Sequence, residues 1–457
     1  MKKLNIVILA AGMGKRMRSA LPKVLHHLGG KPLLVNVVET AQTLSPEKIC
    51  VIYGHGGAHV IQALPDYDLV WIEQAEQLGT GHALMQALPA LEKEGATLVL
   101  FGDVPLIKTE TLRQLVDAAQ EGQCALLTAV LENPFGYGRI IRAADSGNIT
   151  AIVEEKDANP EQKLIREINT GVMLIPNAFL HDWLPKIENA NQQKEYYLTD
   201  IIALAVSNDM EIAAVQPENA WEILGVNNKM HLAELERIYQ QEYAKKLLEQ
   251  GVTLMDPSRI DIRGQLTCGS DVVIDVNCIF EGKVTLGDHV KINAHSILKN
   301  VSVSAGSVIA PFSLIEDAEI GENTQVGPYA RIRPGTRLGN NVRVGNFVEI
   351  KNSIIANASK ANHLSYIGDS LVGENVNIGA GTITCNYDGA NKHQTIIEDN
   401  VFIGSDTQLI APVKVTEGTT IGAGSTITRD TPAGQLTLSR AKQISVNGWV
   451  RPVKMKK

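Results

Sequence analysis

The chain has 457 residues, too many for one ordinary hydrophobic core, and this length indicates two or three domains. Its charge is mildly acidic, with 42 lysines and arginines against 50 aspartates and glutamates, so we expect no nucleic-acid partner. The five cysteines show no paired metal spacing and predict a reduced, cytoplasmic setting. No stretch approaches the ~20 apolar residues that a membrane helix requires, so no membrane partner is expected.

The N-terminus combines an apolar segment with a glycine-rich turn. The apolar run at residues 4–11 is too short for a signal peptide and is not followed by a cleavage site. We therefore predict a buried strand at residues 5–9. The turn at residues 10–14 then leads into a helix start, and such a turn can cradle phosphate because its backbone amides face an anion. A Walker loop would need glycine at Leu9 and Ser or Thr at Arg16, and a dinucleotide fingerprint would need glycine at Met17. Neither named motif is present, and a purely structural turn remains an alternative.

Apolar runs alternate with helical stretches through the rest of the first half. The predicted strands are residues 51–53, 70–72 and 98–101, and the predicted helices include residues 31–44 and 109–120. This alternation favours an α/β sheet whose ligand lies at the carboxyl ends of its strands. Polar elements fall at those ends: the glycine turn, Gln74 with residues 79–81, and Gly102 with Asp103.

The first half resembles the sugar-1-phosphate nucleotidyltransferases through LAAGMGKRM at residues 9–17 and LPK at residues 21–23. The resemblance implies a Rossmann-like α/β domain in which a sugar-1-phosphate oxygen attacks the α-phosphorus of UTP and pyrophosphate leaves. Lys15 departs from the family pattern, which usually carries Ser or Thr there. We assign Lys15 no role.

The resemblance also implies the site residues. Mg²⁺ would be held by Asp103 and Asn227, since this ion prefers one or two protein oxygens together with phosphates and water. Arg16 would be catalytic, and Arg16 and Lys23 would neutralise phosphate charge. The implied residues for UTP and the sugar nucleotide are Leu9, Ala10, Ala11, Gly12, Lys23, Gln74, Gly79, Thr80, Gly102, Asp103, Gly138, Glu154, Asn169 and Asn227. Two alternatives stay open from the residues themselves: Asp103 as a helix cap and Asn227 as a turn residue.

Apolar residues at helical spacing from Lys229 to Gln250, ended by Gly251, predict one long amphipathic helix. We therefore expect a nucleotidyltransferase domain at residues 1–228, a helical linker at 229–250, and a second domain at 251–457.

The second half carries a strict six-residue period of branched aliphatic residues. The strict run is Ile320, Val326, Ile332, Leu338, Val344 and Ile350. The same rhythm appears upstream as Leu286, Ile292 and Leu298 and as Val303, Ile309 and Ile315, and it returns downstream as Ile397, Ile403, Leu409, Val415, Ile421 and Ile427. Positions four residues after the members from Ile320 to Ile350 are small or β-branched, ending with Ile354. A period of six is typical of a parallel β-helix with three sides and about 18 residues per coil, whose inward aliphatics form one continuous column.

Departures from this period mark where function can be built onto the scaffold. The period slips between Ile350 and Val372, a stretch that contains residues 362–366. Residues 384–393 are too polar for a side of the prism and should form an outward loop.

This half resembles the hexapeptide acetyltransferases, which implies a left-handed parallel β-helix, acetyl-CoA as co-substrate and a homotrimer. His363 would be the general base, because imidazole titrates close to working pH, and Glu349 would orient it. The implied residues for glucosamine phosphate are Arg333, Lys351, Tyr366 and Asn377. The implied residues for acetyl-CoA are Ala380, Asn386, Tyr387, Ser405, Ala423 and Arg440. The backbone amide of Ala380 would steady the oxyanion.

The two halves together resemble the bacterial bifunctional enzymes of UDP-N-acetylglucosamine synthesis over essentially the whole chain. Such an enzyme acetylates glucosamine-1-phosphate and then transfers UMP from UTP to N-acetylglucosamine-1-phosphate. The alternatives are a single-activity nucleotidyltransferase with a structural β-helix, and a non-catalytic scaffold. After Asp430 the chain carries only basic charges, which predicts either a solvated tail or, up to Arg440, an approach to the anionic end of coenzyme A.

Overall fold

The structure is a computed structural model that describes residues 3–54, 56–120 and 122–454. The chain folds as two compact units, the first ending at Tyr239 and the second beginning at Gln240. The lysines expected in the basic tail at positions 456 and 457 lie outside the described residues.

The first unit is built on a mixed β-sheet flanked by helices. The strands of this unit are β1 Leu4–Leu9, β2 His27–Leu28, β3 Lys31–Pro32, β4 Lys48–Tyr53, β5 Val70–Glu73, β6 Ala96–Phe101, β7 Ala125–Val130, β8 Arg139–Arg142, β9 Ile149–Val153, β10 Glu167–Pro176 and β11 Ala213–Val215. Within the described residues the sheet order is β11-β7-β10-β6-β1-β4-β5, with β8 pairing β10 and β9. Strands β4, β1 and β6 are parallel neighbours, whereas β10 runs antiparallel to β6 and β7.

Helices cover both faces of this sheet, because strands such as β1 and β6 are mostly apolar and are buried along nearly their whole length. The helices are α1 Leu33–Gln42, α2 Gly57–Gln62, α3 Thr80–Ala87, α4 Thr109–Ala118, α5 Asn177–Trp183, α6 Asp200–Ser207 and α7 Lys229–Glu249. The predicted strands and helices of the first half are confirmed.

One local expectation was wrong. The glycine turn does not open into an α-helix but into a single 3₁₀ turn, Lys15–Met17. A helix dipole therefore contributes little at this turn, and anion binding must depend on the loop amides and on side-chain cations.

The long helix α7 lies where the sequence predicted it, and the division between the two compact units falls inside it. Its N-terminal part packs Leu235 against Met17, Leu28 and Leu33 of the first unit. Its C-terminal part packs Ala244 and Leu247 into the core of the second unit.

The second unit is a parallel β-helix, as predicted. Within the described residues one side is an 11-stranded parallel sheet, and the other two sides belong to a 15-stranded sheet that divides after its first strands. The first side comprises Thr253–Leu254, Val273–Ile274, Lys291–Ile292, Val308–Ile309, Gln325–Val326, Arg343–Asn346, Lys360–His363, Asn377–Ile378, Phe402–Ile403, Thr420–Ile421 and Leu436–Thr437. The remaining strands are Ile260–Cys268, Cys278–Leu286, Ile297–Val303, Leu314–Ile320, Arg331–Ile332, Thr336–Leu338, Glu349–Lys351, Ile354–Ile355, Tyr366–Gly368, Ser370–Val372, Ile383–Cys385, Thr395–Ile397, Gln408–Ile410, Val413–Val415 and Thr426–Ile427.

The register explains both departures from the six-residue period. Ile350 pairs Ile367 at a spacing of 17 rather than 18, so a corner has lost one residue. Ile378 pairs Ile403 at a spacing of 25, because the polar loop after Cys385 is inserted at one corner. The shortened coil also shifts the inward position that the period had assigned to Ile354. Ser353 points inward instead and is 1% exposed, whereas Ile354 is 46% exposed.

The periodic aliphatics form one buried core that runs through the coils. Outside it, one corner carries a stack of rings from His295, Phe312, Tyr329 and Phe347, with neighbouring centroids 4.8 to 5.5 Å apart. All four residues have positive φ. Stacking of this kind compensates part of the strain of a left-handed backbone.

Among the residues that the structure describes, no helix is both long and apolar enough to cross a membrane.

Candidate functional sites

The first unit holds a cleft of about 240 Å³ at the carboxyl ends of β1 and β6. Predicted residues that line it are Leu9, Ala10, Ala11, Gly12, Lys23, Gln74, Gly79, Thr80 and Asp103. Gly102 lies behind the cleft, where an added Cβ would come within 3.2 Å of Ala10. Phe101, Gln77 and Glu195 also line the cleft and were not predicted. Gln77 could have been found from its position in the polar segment after Gln74.

The glycine turn is shaped by its approach to Lys23. Gly14 has φ 59° and would place a Cβ 2.8 Å from the Cβ of Lys23, so no other residue fits without displacement. A Cβ added to Gly12 would lie 4.0 Å from the Lys23 ammonium, which puts that cation beside the loop. Lys15 and Arg16 are both exposed. The loop and Lys23 thus offer backbone amides and a positive charge to one bound anion.

The two expected metal ligands converge on the same ammonium. Lys23 forms an ion pair with Asp103, and its Nζ lies 3.5 Å from Asn227 Oδ1. Arg16 donates to Asn227 Oδ1 at 3.0 Å. The Val226 amide donates to the Asp103 carbonyl at 2.9 Å, which holds Asn227 against Asp103 although they are distant in sequence.

This donor set fits a hard divalent cation, because one carboxylate and one carboxamide oxygen face a common point already occupied by positive charge. Among the described residues, no three His, Cys, Asp or Glu side chains form a metal-binding group. A cation held here would therefore depend on Asp103, Asn227 and the phosphates of a substrate.

The opposite end of the cleft is an internally bonded loop. Gln74 is buried, and its Nε2 donates to the Gly79 carbonyl at 3.1 Å. The Gly81 amide donates to Tyr196 O, and Thr80 Oγ1 accepts from the Leu198 amide at 3.1 Å. Gln74 and Thr80 thus form hydrogen bonds that hold the loop in place. A nucleotide base that binds here would meet a preformed edge.

Gly138, Glu154 and Asn169 come together beside this cleft. The Asn169 amide donates to the Gly138 carbonyl at 2.8 Å. A Cβ on Gly138 would lie 3.4 Å from both Glu154 carboxylate oxygens, so the absence of a side chain leaves that carboxylate room. Burial raises the pKa of Glu154, although Thr199 donates to it at 3.1 Å. Burial raises the pKa of the neighbouring Tyr137, and the charge of Asp103 raises it further. Tyr137 adjoins Gly138 in the chain and therefore places this group near Asp103, the expected metal ligand.

A buried ion pair underlies the same group, and the sequence analysis missed it. Arg139 is 2% exposed and donates to Glu155 at 2.6 Å and to the Tyr137 carbonyl. Each member adjoins an expected sugar-binding residue in the chain, Gly138 or Glu154. Its only sequence signal was a charged residue directly before the apolar pair Ile140 and Ile141.

In the second unit, His363 stands in a row of residues from successive coils. Register pairs Asn346 with His363. Backbone hydrogen bonds continue the row, from Gly381 N to His363 O at 3.4 Å and from Asp406 N to Ala380 O at 2.7 Å. Gly424 N donates to Ser405 O at 2.8 Å, and Arg440 donates to Ala423 O at 2.9 Å. The row therefore brings His363 together with four of the six residues expected at acetyl-CoA.

The expected partner of His363 is corrected by this geometry. Glu349 accepts from Arg333 at 2.8 Å rather than from the imidazole. The imidazole Nδ1 instead lies 3.1 Å from Asn346 Oδ1. The physical reason is register: Asn346 pairs with His363, whereas Glu349 pairs with Tyr366 around the corner.

The remaining polar residues form a second group on the adjoining side. Lys351 lies 3.7 Å from Asp369, and Asn386 donates to the same carboxylate at 2.5 Å. Gly368 carries no side chain, and a Cβ there would come within 2.5 Å of the Tyr366 hydroxyl and 2.8 Å of Asn386.

Lys392, which the sequence analysis did not name, faces Lys351 across this group. A hydrogen bond from Lys351, and then its charge, lowers the pKa of Lys392. Two lysine side-chain nitrogens held together in this way form a binding place for an anion, because a bound negative charge favours the protonated form of both.

The polar loop is largely exposed, as predicted. Tyr387 is 61% exposed, and its hydroxyl donates to the Gly389 carbonyl at 2.6 Å. Asn377 lies on the first side of the prism, paired between Lys360 and Phe402, and is not brought into the group around Lys351.

Comparison with known proteins places both halves. Residues 6–254 match the MobA-like NTP transferase domain family, and residues 317–352 and 394–429 match the bacterial transferase hexapeptide family. Over its full 457 residues the chain is 66% identical to the "Bifunctional protein GlmU" of Nitrosospira multiformis, covering 99% of that protein. It is 64% identical to the protein of that name from Nitrosomonas eutropha, covering all of it. A solved UDP-glucose pyrophosphorylase complexed with UDP-glucose is 18% identical, with a TM-score of 0.44, over 53% of this chain and 100% of that chain.

Proposed function

This chain belongs to the family of bifunctional GlmU proteins, and we propose that each of its two compact units contains one active site. The chain is a uridylyltransferase and an acetyltransferase: it acetylates glucosamine-1-phosphate and transfers UMP to N-acetylglucosamine-1-phosphate. The observation that carries the division is the segregation of the expected residues, since those for UTP lie before Tyr239 and those for acetyl-CoA after Gln240.

In the first unit, a phosphate oxygen of the sugar phosphate attacks the α-phosphorus of UTP, and the bond to pyrophosphate breaks. Lys23 and Arg16 neutralise the phosphates, and the glycine turn offers amides to the same charge. Glu154 and Asn169 hold the sugar beside Gly138. The two substrates are thereby aligned for in-line transfer, which supplies much of the rate enhancement.

Mg²⁺ is the divalent cation we assign to Asp103 and Asn227. Asp103 and Asn227 would hold it, and it would supply positive charge to offset the negative charge of the substrate phosphates. Lys23 pairs with Asp103 in this structure, and its ammonium would be available to the phosphates when the carboxylate holds the cation.

In the second unit, the amine of glucosamine-1-phosphate attacks the thioester carbon of acetyl-CoA, the C–S bond breaks, and coenzyme A leaves as the thiol. His363 accepts the proton released by the amine. Lys351 and Lys392, with Arg333, suit the sugar phosphate. Ala380, Ser405 and Ala423 continue the row of His363 and line the approach of acetyl-CoA.

Separate substitutions test the two-site proposal. His363→Ala should abolish thiol release from acetyl-CoA with glucosamine-1-phosphate and leave pyrophosphate release from UTP unchanged. Asp103→Ala should do the reverse. Both assays are run on the same full-length preparations, so each activity is the folding control for the other.

Loss of both activities in either folded variant would overturn the proposal. Thiol release that survives in His363→Ala would favour the alternative, in which the β-helix is only structural.

We further propose that the protein acts as a homotrimer in the cytoplasm on small-molecule substrates. The support is the match to the hexapeptide family and five cysteines that are all free thiols. Sedimentation equilibrium at micromolar concentration should return three times the 49.5 kDa chain mass. A monomer at that concentration would contradict the assembly.

A further inference from the structure

We infer that Asn346 is a positioning residue for acetyl transfer, because it fixes the imidazole of His363 with Nδ1 protonated and the Nε2 lone pair free to accept the amine proton. The inference rests on the proposed role of His363. Nothing in the sequence pattern pointed to Asn346, and the side chain expected at this place, Glu349, is bonded to Arg333.

The contact sets the tautomer. Asn346 Oδ1 lies 3.1 Å from His363 Nδ1, and a carboxamide oxygen can only accept. A neutral imidazole carries one N–H, so a proton held at Nδ1 leaves Nε2 unprotonated. Base chemistry at Nε2 needs that form. A carboxamide also holds the ring without adding the negative charge that would favour imidazolium.

The backbone does not require asparagine at this position. Many asparagines of the β-helix corners have positive φ, which asparagine tolerates, but among the described residues with positive φ Asn346 is absent and its neighbour Phe347 is present. The equivalent places in the three preceding coils are occupied by Ala294, Pro311 and Pro328. After these three coils, Asn346 puts a polar side chain at this place in the coil next to His363.

The pair is also held rigidly. Asn346 ends the strand Arg343–Asn346, and its carbonyl accepts from the Leu364 amide at 3.1 Å. Asn346 and His363 are paired in register, so their side chains leave adjacent strands of one sheet side by side. The contact therefore follows from the coil geometry rather than from two mobile side chains meeting.

The test compares Asn346→Ala and Asn346→Asp with the wild-type full-length protein. A whole general base contributes about 10²–10⁴-fold, so loss of its orientation alone should lower the kcat of acetylation by about 10- to 100-fold. KM for glucosamine-1-phosphate should change less than about twofold, since Asn346 does not contact the residues proposed to bind the sugar phosphate. Uridylyl transfer should be unchanged. Asn346→Asp restores an acceptor at Nδ1 and should recover most of kcat at a pH high enough to deprotonate the imidazolium that its charge favours.

A spectroscopic measurement separates orientation from structure. Long-range ¹⁵N–¹H NMR on ¹⁵N-histidine protein, with the His363 signals assigned by their loss in His363→Ala, should show Nδ1–H in wild type. Asn346→Ala should shift the population towards Nε2–H, and Asn346→Asp should shift it back. The matched control is Asn293→Ala, which removes an asparagine bonded to Ile309 O at 3.0 Å in an earlier coil and should alter neither readout.

A wild-type kcat in Asn346→Ala, a change confined to KM, or an unchanged tautomer would each overturn the inference. Failure of the underlying proposal looks different: acetylation would then survive in His363→Ala itself.

Discussion

Replacing Arg139 by methionine should destabilise the first unit and weaken sugar binding, because it leaves Glu155 without its ion-pair partner. Arg139 is 2% exposed and the Glu155 side chain 17% exposed, so the pair is almost dry. Breaking a buried pair from one side costs about 3–5 kcal/mol. Since Glu155 keeps some access to water, we expect the lower end, about 3 kcal/mol.

Tryptophan fluorescence measures this effect, because Trp71, Trp183 and Trp221 all lie in the first unit and only Trp449 lies outside it. With an m-value of roughly 3 kcal/mol/M, the urea midpoint of this transition should fall by about 1 M. The double variant Arg139→Met with Glu155→Gln removes both charges and should recover most of the loss. KM for N-acetylglucosamine-1-phosphate should rise about tenfold in the single variant, since Gly138 and Glu154 adjoin the pair.

Acetyl transfer by the second unit serves as the control and should be unchanged. A loss of stability below about 1 kcal/mol would refute the reasoning, because it would mean that water screens the pair. A double variant as unstable as the single one would show that the contribution is packing of the arginine stem instead of charge.

Three further outcomes are expected. Glu154→Gln should raise the urea midpoint of the first unit at pH 7–8 but not near pH 4, and it should weaken sugar binding. Burial raises the pKa of Glu154 in the folded protein. The favourable contribution of this carboxyl group to stability is therefore present below the unfolded pKa and is lost as the pH rises through the folded pKa. A loss of stability at pH 8 in this variant would contradict that sign. Ile332→Ala, at a fully buried position, should cost about 2–5 kcal/mol in denaturant unfolding followed by far-UV circular dichroism, whereas Ile354→Ala, at a position 46% exposed, should cost much less; equal losses would refute the inward and outward assignment. N-ethylmaleimide at pH 8 followed by mass spectrometry should label the partly exposed Cys385 before Cys124 and Cys268, because burial raises the pKa of each of the latter to about 12; earlier labelling of Cys124 would be inconsistent with its burial.

Expectations from the sequence held wherever a short local pattern carries the physics. The period of six places each aliphatic residue inward because every coil repeats the same three sides. The buried column of the β-helix could therefore be predicted from the sequence. The loop after Cys385 was visible for the same reason, since a polar stretch interrupts an otherwise regular column. The glycine turn was also found, but its short 3₁₀ continuation was not, because helix length depends on packing as well as propensity.

Contacts between segments that are distant in the chain could not be predicted from the sequence. Asp103 and Asn227 meet because the Val226 amide bonds back to the Asp103 carbonyl, and nothing at either position announces the other. Arg139 and Glu155 form a pair only because a hairpin returns one strand beside the other.

The amino-acid sequence by itself determined the two architectures, the order of the elements and the identity of most charged groups available for chemistry, because periodicity and composition are local properties. Tertiary structure alone decided which of those groups touch. A corner that drops one residue puts Asn346, and not Glu349, beside His363, and the exact register of stacked coils is set by the packing of the whole column.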